Sequence, residues 1–81
     1  MYWAYILKSE KTGKHYIGST DDVEARLVRH NRGRNKSTKL GIPWKLIHSE
    51  PFPTKQEAYR REFQIKSYKG GTAFKKLIAL S

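Results

Sequence analysis

The stretch HYIGSTDDVEARLVRHN, residues His15–Asn31, passes from a strand into a helix, and the rest of the chain must pack around that junction. HYIGS has strand character, which Gly18 is expected to end. Thr20 or Asp21 can then cap a helix running to about Asn31, with Asp21, Asp22 and Glu24 in the first turn, where the helix dipole favours acids. On a helical wheel Val23 and Leu27 fall at the centre of the apolar stripe, while Arg26 and His30, one turn apart, lie along its border.

Upstream, YWAYILK (Tyr2–Lys8) is apolar on both alternating faces and reads as a central strand covered on both sides. SEKTGK supplies a turn, so the first two strands form an antiparallel hairpin on which Tyr5 and Tyr16 could face each other. Downstream, RGRNKSTKLGIP has the composition of a flexible loop. Trp44–Glu50 reads as a third strand bounded by Pro43 and by the PFP that follows it. Thr54 and Glu57 match a capping box opening a helix that reaches Lys66 or Lys69, where Gly70 and Gly71 break it. Phe74, Leu77, Ile78 and Leu80 then recur at helical spacing. The expected fold is an α+β domain spanning residues 1–81, a three-stranded antiparallel sheet flanked by about three helices in the order β-β-α-β-α-α.

Hydrophobic residues at 37% and ten aromatics indicate a chain that can fold on its own. The absence of cysteine excludes disulfides and thiolate metal sites. The N-terminal apolar run is too short to span a bilayer, so no membrane association is expected and a cytoplasmic location is the default. Seventeen Lys and Arg against seven Asp and Glu leave a net charge of +10, whose usual cause is a polyanionic partner, most often nucleic acid.

On the second helix Ala58, Tyr59, Phe63 and Ile65 form an apolar arc, with Glu57, Arg60, Arg61 and Gln64 opposite. Glu62 falls inside that arc. A lone carboxylate there needs a partner, a raised pKa or a metal ion; the structural reading is an ion pair with Arg26 or a lysine. Arg26 is suited to a bidentate grip on phosphate, and His30 to donating to phosphate or moving a proton. Tyr5 and Tyr16 are core aromatics that could become general bases if a cation lowered their pKa.

WAYIL followed by HYIGST, then DDVEARLVRHN, then EAYRREFQIK resembles the GIY-YIG nuclease superfamily, closest to its short stand-alone members, over nearly the whole chain. The resemblance implies that Tyr5 is the tyrosine of the first motif, Tyr16 that of the second, Arg26 the helix arginine and Glu62 the metal-anchoring glutamate, with His30 at a position often functional. It also implies hydrolysis of a phosphodiester with one divalent cation, Mg²⁺ or Mn²⁺, which a single carboxylate holds through retained waters. Two departures are visible: Trp3 and Ala4 precede Tyr5 where the family has a glycine, and GGTAFKK offers no asparagine after the metal-binding helix.

The function expected is therefore that of a metal-dependent endonuclease-like domain acting on DNA, with RNA also admissible. Arg32, Arg34, Lys36, Lys39, Arg60, Arg61, Lys66 and Lys69 would grip the backbone with little sequence specificity, and a partner protein could supply targeting. The alternative is a non-catalytic nucleic-acid-binding module on the same scaffold. Retention of Glu62 argues for catalysis, since an idle carboxylate in an apolar arc costs stability.

Overall fold

In the computed structural model, which describes residues 1–80, the chain runs β1 (Tyr2–Ser9), β2 (His15–Thr20), α1 (Val23–Asn31), a 3₁₀ turn (Lys39–Gly41), β3 (Trp44–Phe52), α2 (Lys55–Ser67) and α3 (Thr72–Ala79). The sheet is antiparallel with β1 between β2 and β3, as the two-faced apolar pattern of β1 requires. Alternation divides β1 between two cores. Tyr5 and Leu7 pack with Trp44, Tyr16, Leu27 and Ile42 on the α1 face. Ile6 packs with Ile65, Phe74, Ile17 and Ile47 on the face covered by α2 and α3.

Several boundaries differ from expectation. Gly18 does not end β2, which continues to Thr20. Thr20 and Asp21 do not cap α1; Asp22 does, its carboxylate accepting from the Ala25 amide at 3.0 Å, while the Thr20 hydroxyl accepts from the Asp22 amide at 3.2 Å. β3 runs past Glu50 through Pro51 to Phe52, because β3 is an edge strand and a missing N–H can face outward there. The Thr54 cap is as expected, its hydroxyl accepting from the Glu57 amide at 3.2 Å. α2 ends at Ser67, and the chain then passes through two left-handed residues, Lys69 at φ +50° and Gly70 at φ +74°, the second of which suits glycine.

The segment after α1 is not a loose loop. The Asn31 amide side chain pairs with the Trp44 backbone in both directions, accepting at 2.6 Å and donating at 2.9 Å, as a neighbouring strand would. Thr38 is buried; its carbonyl accepts from the Trp44 indole at 2.7 Å. The Ser9 hydroxyl donates to the Gly41 carbonyl. Polar side chains from three elements thus satisfy the backbone of the segment and hold it against the sheet.

The α2 wheel needs the largest correction. Its buried residues are Ala58, Glu62 and Ile65, whereas Tyr59 and Phe63 are 51% and 55% exposed and meet edge to face at 4.8 Å. The inward face is rotated: Ile65 packs on Ile6 and Phe74, and Arg61, expected outside, meets β3. It grips Glu50 with Nε and Nη2 at 2.9 and 3.1 Å, and His48 Nε2 lies 2.6 Å from the same carboxylate. Burial alone would raise the Glu50 carboxyl, but its hydrogen bonds from Arg61 and His48 outweigh that and hold it below the usual range. In urea unfolding, Ile65→Ala should cost about 2 to 5 kcal/mol, and Phe63→Ala no more than about 0.5 to 1 kcal/mol.

Candidate active site at the edge of the sheet

β2 is the other edge strand, and the five candidate site residues gather on its two sides. Register pairs Tyr5 with Gly18 and Leu7 with Tyr16, so the two tyrosines share a face diagonally rather than directly opposite, with ring centroids 6.3 Å apart. Gly18 is there because Tyr5 lies over it: a Cβ would fall 2.6 Å from the Tyr5 hydroxyl and 2.8 Å from Cζ. Any side chain at 18 would push the phenol off its position. Gly18→Ala should cost about 1 to 3 kcal/mol in urea unfolding, with the cost shrinking in a Tyr5→Leu background.

His30 is not on the border of its helix stripe but is the one buried residue of α1, with no exposed surface. Val23 and Leu27, expected at the centre, are only half-buried. The imidazole contacts both tyrosine rings, with centroids 4.6 Å from Tyr16 and 6.5 Å from Tyr5. Its Nδ1 lies 2.8 Å from the Thr38 hydroxyl, which itself donates to the Asn35 carbonyl at 3.3 Å. With its own proton directed to Asn35, the Thr38 hydroxyl can accept from a protonated Nδ1, the tautomer that would turn the Nε2 lone pair toward the Tyr5 hydroxyl at 3.4 Å. Burial lowers the His30 pKa, and Arg26 and Arg29 lower it further. Burial raises the Tyr5 phenol well above its usual value; Tyr16 and the Glu62 carboxylate act in the same direction and Arg26 against it.

On the opposite side, Glu62 rises from α2 beneath Ser19. The Ser19 hydroxyl donates to Oε1 at 2.7 Å and Lys66 Nζ to Oε2 at 2.6 Å. Of the two structural partners considered for Glu62, a lysine rather than Arg26 takes the role. Arg26 instead lines a cleft of about 230 Å³ with Tyr2, Ser19, Thr20, Asp21 and Lys55, and has no ion-pair partner among the described residues. The cleft meets Ser19, and through it Glu62, at the edge of β2. Ser19 was legible from strand alternation, since it shares the α2 side with Ile17. Lys55 and Thr38 carried no signal in the sequence.

Of the basic residues, Arg32, Arg34, Lys36, Lys39, Arg60 and Lys69 are exposed. Arg61 and Lys66 are already committed to Glu50 and Glu62. Among the described residues no three His, Cys, Asp or Glu side chains cluster as a metal site. A carboxylate with an adjoining hydroxyl is nevertheless a hard-oxygen donor set that suits Mg²⁺ or Mn²⁺ keeping most of its water.

The model of the GIY-YIG catalytic domain family matches residues 1–75, and the chain belongs to that family, a nuclease superfamily whose members act on nucleic acids. It is similar to the small stand-alone proteins called UPF0213. It is 41% identical over 68 residues to that of Staphylococcus saprophyticus and 43% to one from Staphylococcus aureus, in each case covering 83% of this chain and 82% of the relative. The solution NMR structure of the UPF0213 protein BH0048 from Bacillus halodurans aligns with all of this chain and 86% of that one, with a TM-score of 0.62 and 32% identity. No helix of the described residues is long and apolar enough to cross a membrane.

The buried imidazole also sets a pH dependence. With its folded pKa below the unfolded value of about 6.5, the unfolded chain takes up the proton first on acidification. The contribution of His30 is complete above pH 6.5 and is lost as pH falls below it. His15, held low by burial and by Lys8, adds the same sign. The melting temperature of the wild type should therefore fall more steeply between pH 6.5 and 5 than that of His30→Gln, the difference in slope belonging to His30.

Proposed function

We propose that the protein is a divalent-metal-dependent endonuclease hydrolysing phosphodiester bonds of nucleic acid, DNA in the first place, with little intrinsic sequence specificity. One observation carries the reading. An arginine with no ion-pair partner among the described residues, a tyrosine–histidine pair and a carboxylate with a hydroxyl beside it, drawn from β1, β2, α1 and α2, lie around one exposed strand edge.

In this reading Glu62 and Ser19 would hold Mg²⁺ or Mn²⁺, which when bound polarises the phosphate and stabilises the leaving oxygen. Arg26, which makes no ion pair among the described residues, would take the phosphoryl oxygens, and Lys55 across the cleft would meet the neighbouring backbone. Tyr16 keeps some solvent exposure where Tyr5 has almost none, which favours Tyr16 as the hydroxyl that meets the attacking water. The His30 imidazole packs against the Tyr16 ring with centroids 4.6 Å apart and turns its Nε2 to the Tyr5 hydroxyl at 3.4 Å, so it would position the two phenols relative to each other. Thr38, 2.8 Å from Nδ1, would hold the ring in that orientation.

The retention of Glu62 is a weaker argument for catalysis than it was from sequence, because Lys66 and Ser19 already offset the cost of burying it. That same pair is the observation favouring a non-catalytic nucleic-acid-binding module. Incubation with duplex, nicked, branched and single-stranded DNA and with RNA in Mg²⁺ or Mn²⁺ separates the two. Cleavage should disappear with chelator and drop by about 10²-fold or more in Glu62→Ala and Arg26→Ala. Salt-sensitive binding with no cleavage of any substrate would establish the binding module instead.

A further inference from the structure

Glu62 is held by two partners of different character. Ser19 is half-buried on a strand of the sheet. Lys66, one turn beyond Glu62 on α2, reaches it on a flexible stem, with a side chain 49% exposed against 12% for the carboxylate. An ammonium and a divalent cation seek the same carboxylate lone pairs, so both cannot hold Oε2 at full strength. The ammonium also has somewhere to go. Its Nζ lies 5.9 Å from the centroid of the Phe63 ring, which is more than half exposed and offers an attractive face to a cation. On the outer side of the same helix lie solvent and any polyanion that approaches it.

We propose that Lys66 is a built-in counter-ion that gates the metal site: it neutralises Glu62 in the metal-free protein and must leave for a divalent cation to bind. The proposal rests on the reading of Glu62 as a metal anchor. The displaced charge becomes available to a phosphate backbone, so metal and nucleic acid each tighten the binding of the other. Two features left over from the fold are thereby connected. The lysine expected on the nucleic-acid face is found on the carboxylate, and the aromatic expected in the core is found outside, beside the lysine.

The test is Mn²⁺ binding to the full-length chain at low salt, followed by electron paramagnetic resonance of free Mn²⁺, for wild type, Lys66→Met, Lys66→Arg, Glu62→Gln and Lys69→Met. Lys66→Met should bind about threefold to tenfold more tightly than wild type, the scale of one partly exposed ion pair. Lys66→Arg should bind more weakly, since a guanidinium holds both carboxylate oxygens in a planar fork. Lys69→Met removes the same charge from the same end of the helix and should stay within about twofold of wild type, on the scale expected for a screened, exposed charge. As a second readout, Lys66→Met should melt below wild type in chelator and gain more from added Mn²⁺. Equal affinity in wild type and Lys66→Met, or the same gain from Lys69→Met, overturns the gate; loss of binding in Glu62→Gln would then leave the metal anchor standing. Failure of wild type and Lys66→Met alike to bind Mn²⁺, or undiminished binding by Glu62→Gln, overturns both.

Discussion

The Tyr5 ring lies across Gly18, and the gap between them is too small for even one methyl group. That contact ties together the central strand, the edge strand and the site. It lets a large aromatic on β1 reach the margin of the sheet, where its hydroxyl meets His30 from the helix above. It also explains why the second strand must pass through its glycine rather than stop there. A turn at Gly18 would have removed Ser19 and Thr20 from the ladder, and with them the hydroxyl that reaches Glu62.

Polar groups do much of the fastening in this small domain, and they do it in pairs that leave no obvious orphan. Among the described residues no buried side-chain nitrogen or oxygen lacks a hydrogen-bond partner. Asn31 supplies the strand-like bonds that start β3, Thr38 orients the imidazole and anchors the Trp44 indole, and Arg61 binds α2 to β3 through Glu50. Each joins one element to another or to the segment between them. Apolar burial on both faces of β1 supplies the driving force; these bonds select one arrangement of the helices over it.

The membership of the GIY-YIG family and the architecture of the site bear on different questions. The family match spans the strand pair and the helices that carry Tyr16, Arg26, His30 and Glu62. The geometry adds what those helices do to their side chains. One imidazole is buried with its pKa lowered, one arginine makes no ion pair among the described residues, and one carboxylate is occupied by its own helix's lysine. Arg32, Arg34, Lys36, Lys39, Arg60 and Lys69 remain open to solvent.

The sequence by itself determined the order of elements, the central place of β1, the Thr54 cap and the oddity of Glu62, because each rests on local periodicity, turn chemistry or a charge in an apolar pattern. It also carried the family motifs. Only the tertiary structure decided which way α2 faces: Ile65 packs on Ile6 and Phe74, Arg61 meets Glu50 on a strand eleven residues earlier, and Tyr59 and Phe63 are left outward. Likewise, a wheel set His30 at a border, and only Thr38, eight residues on in a segment that read as loop, made it the buried centre of the helix. Local pattern reports which residues prefer an interior. Long-range hydrogen bonds and ion pairs settle which of them get it, and their partners cannot be read from spacing alone.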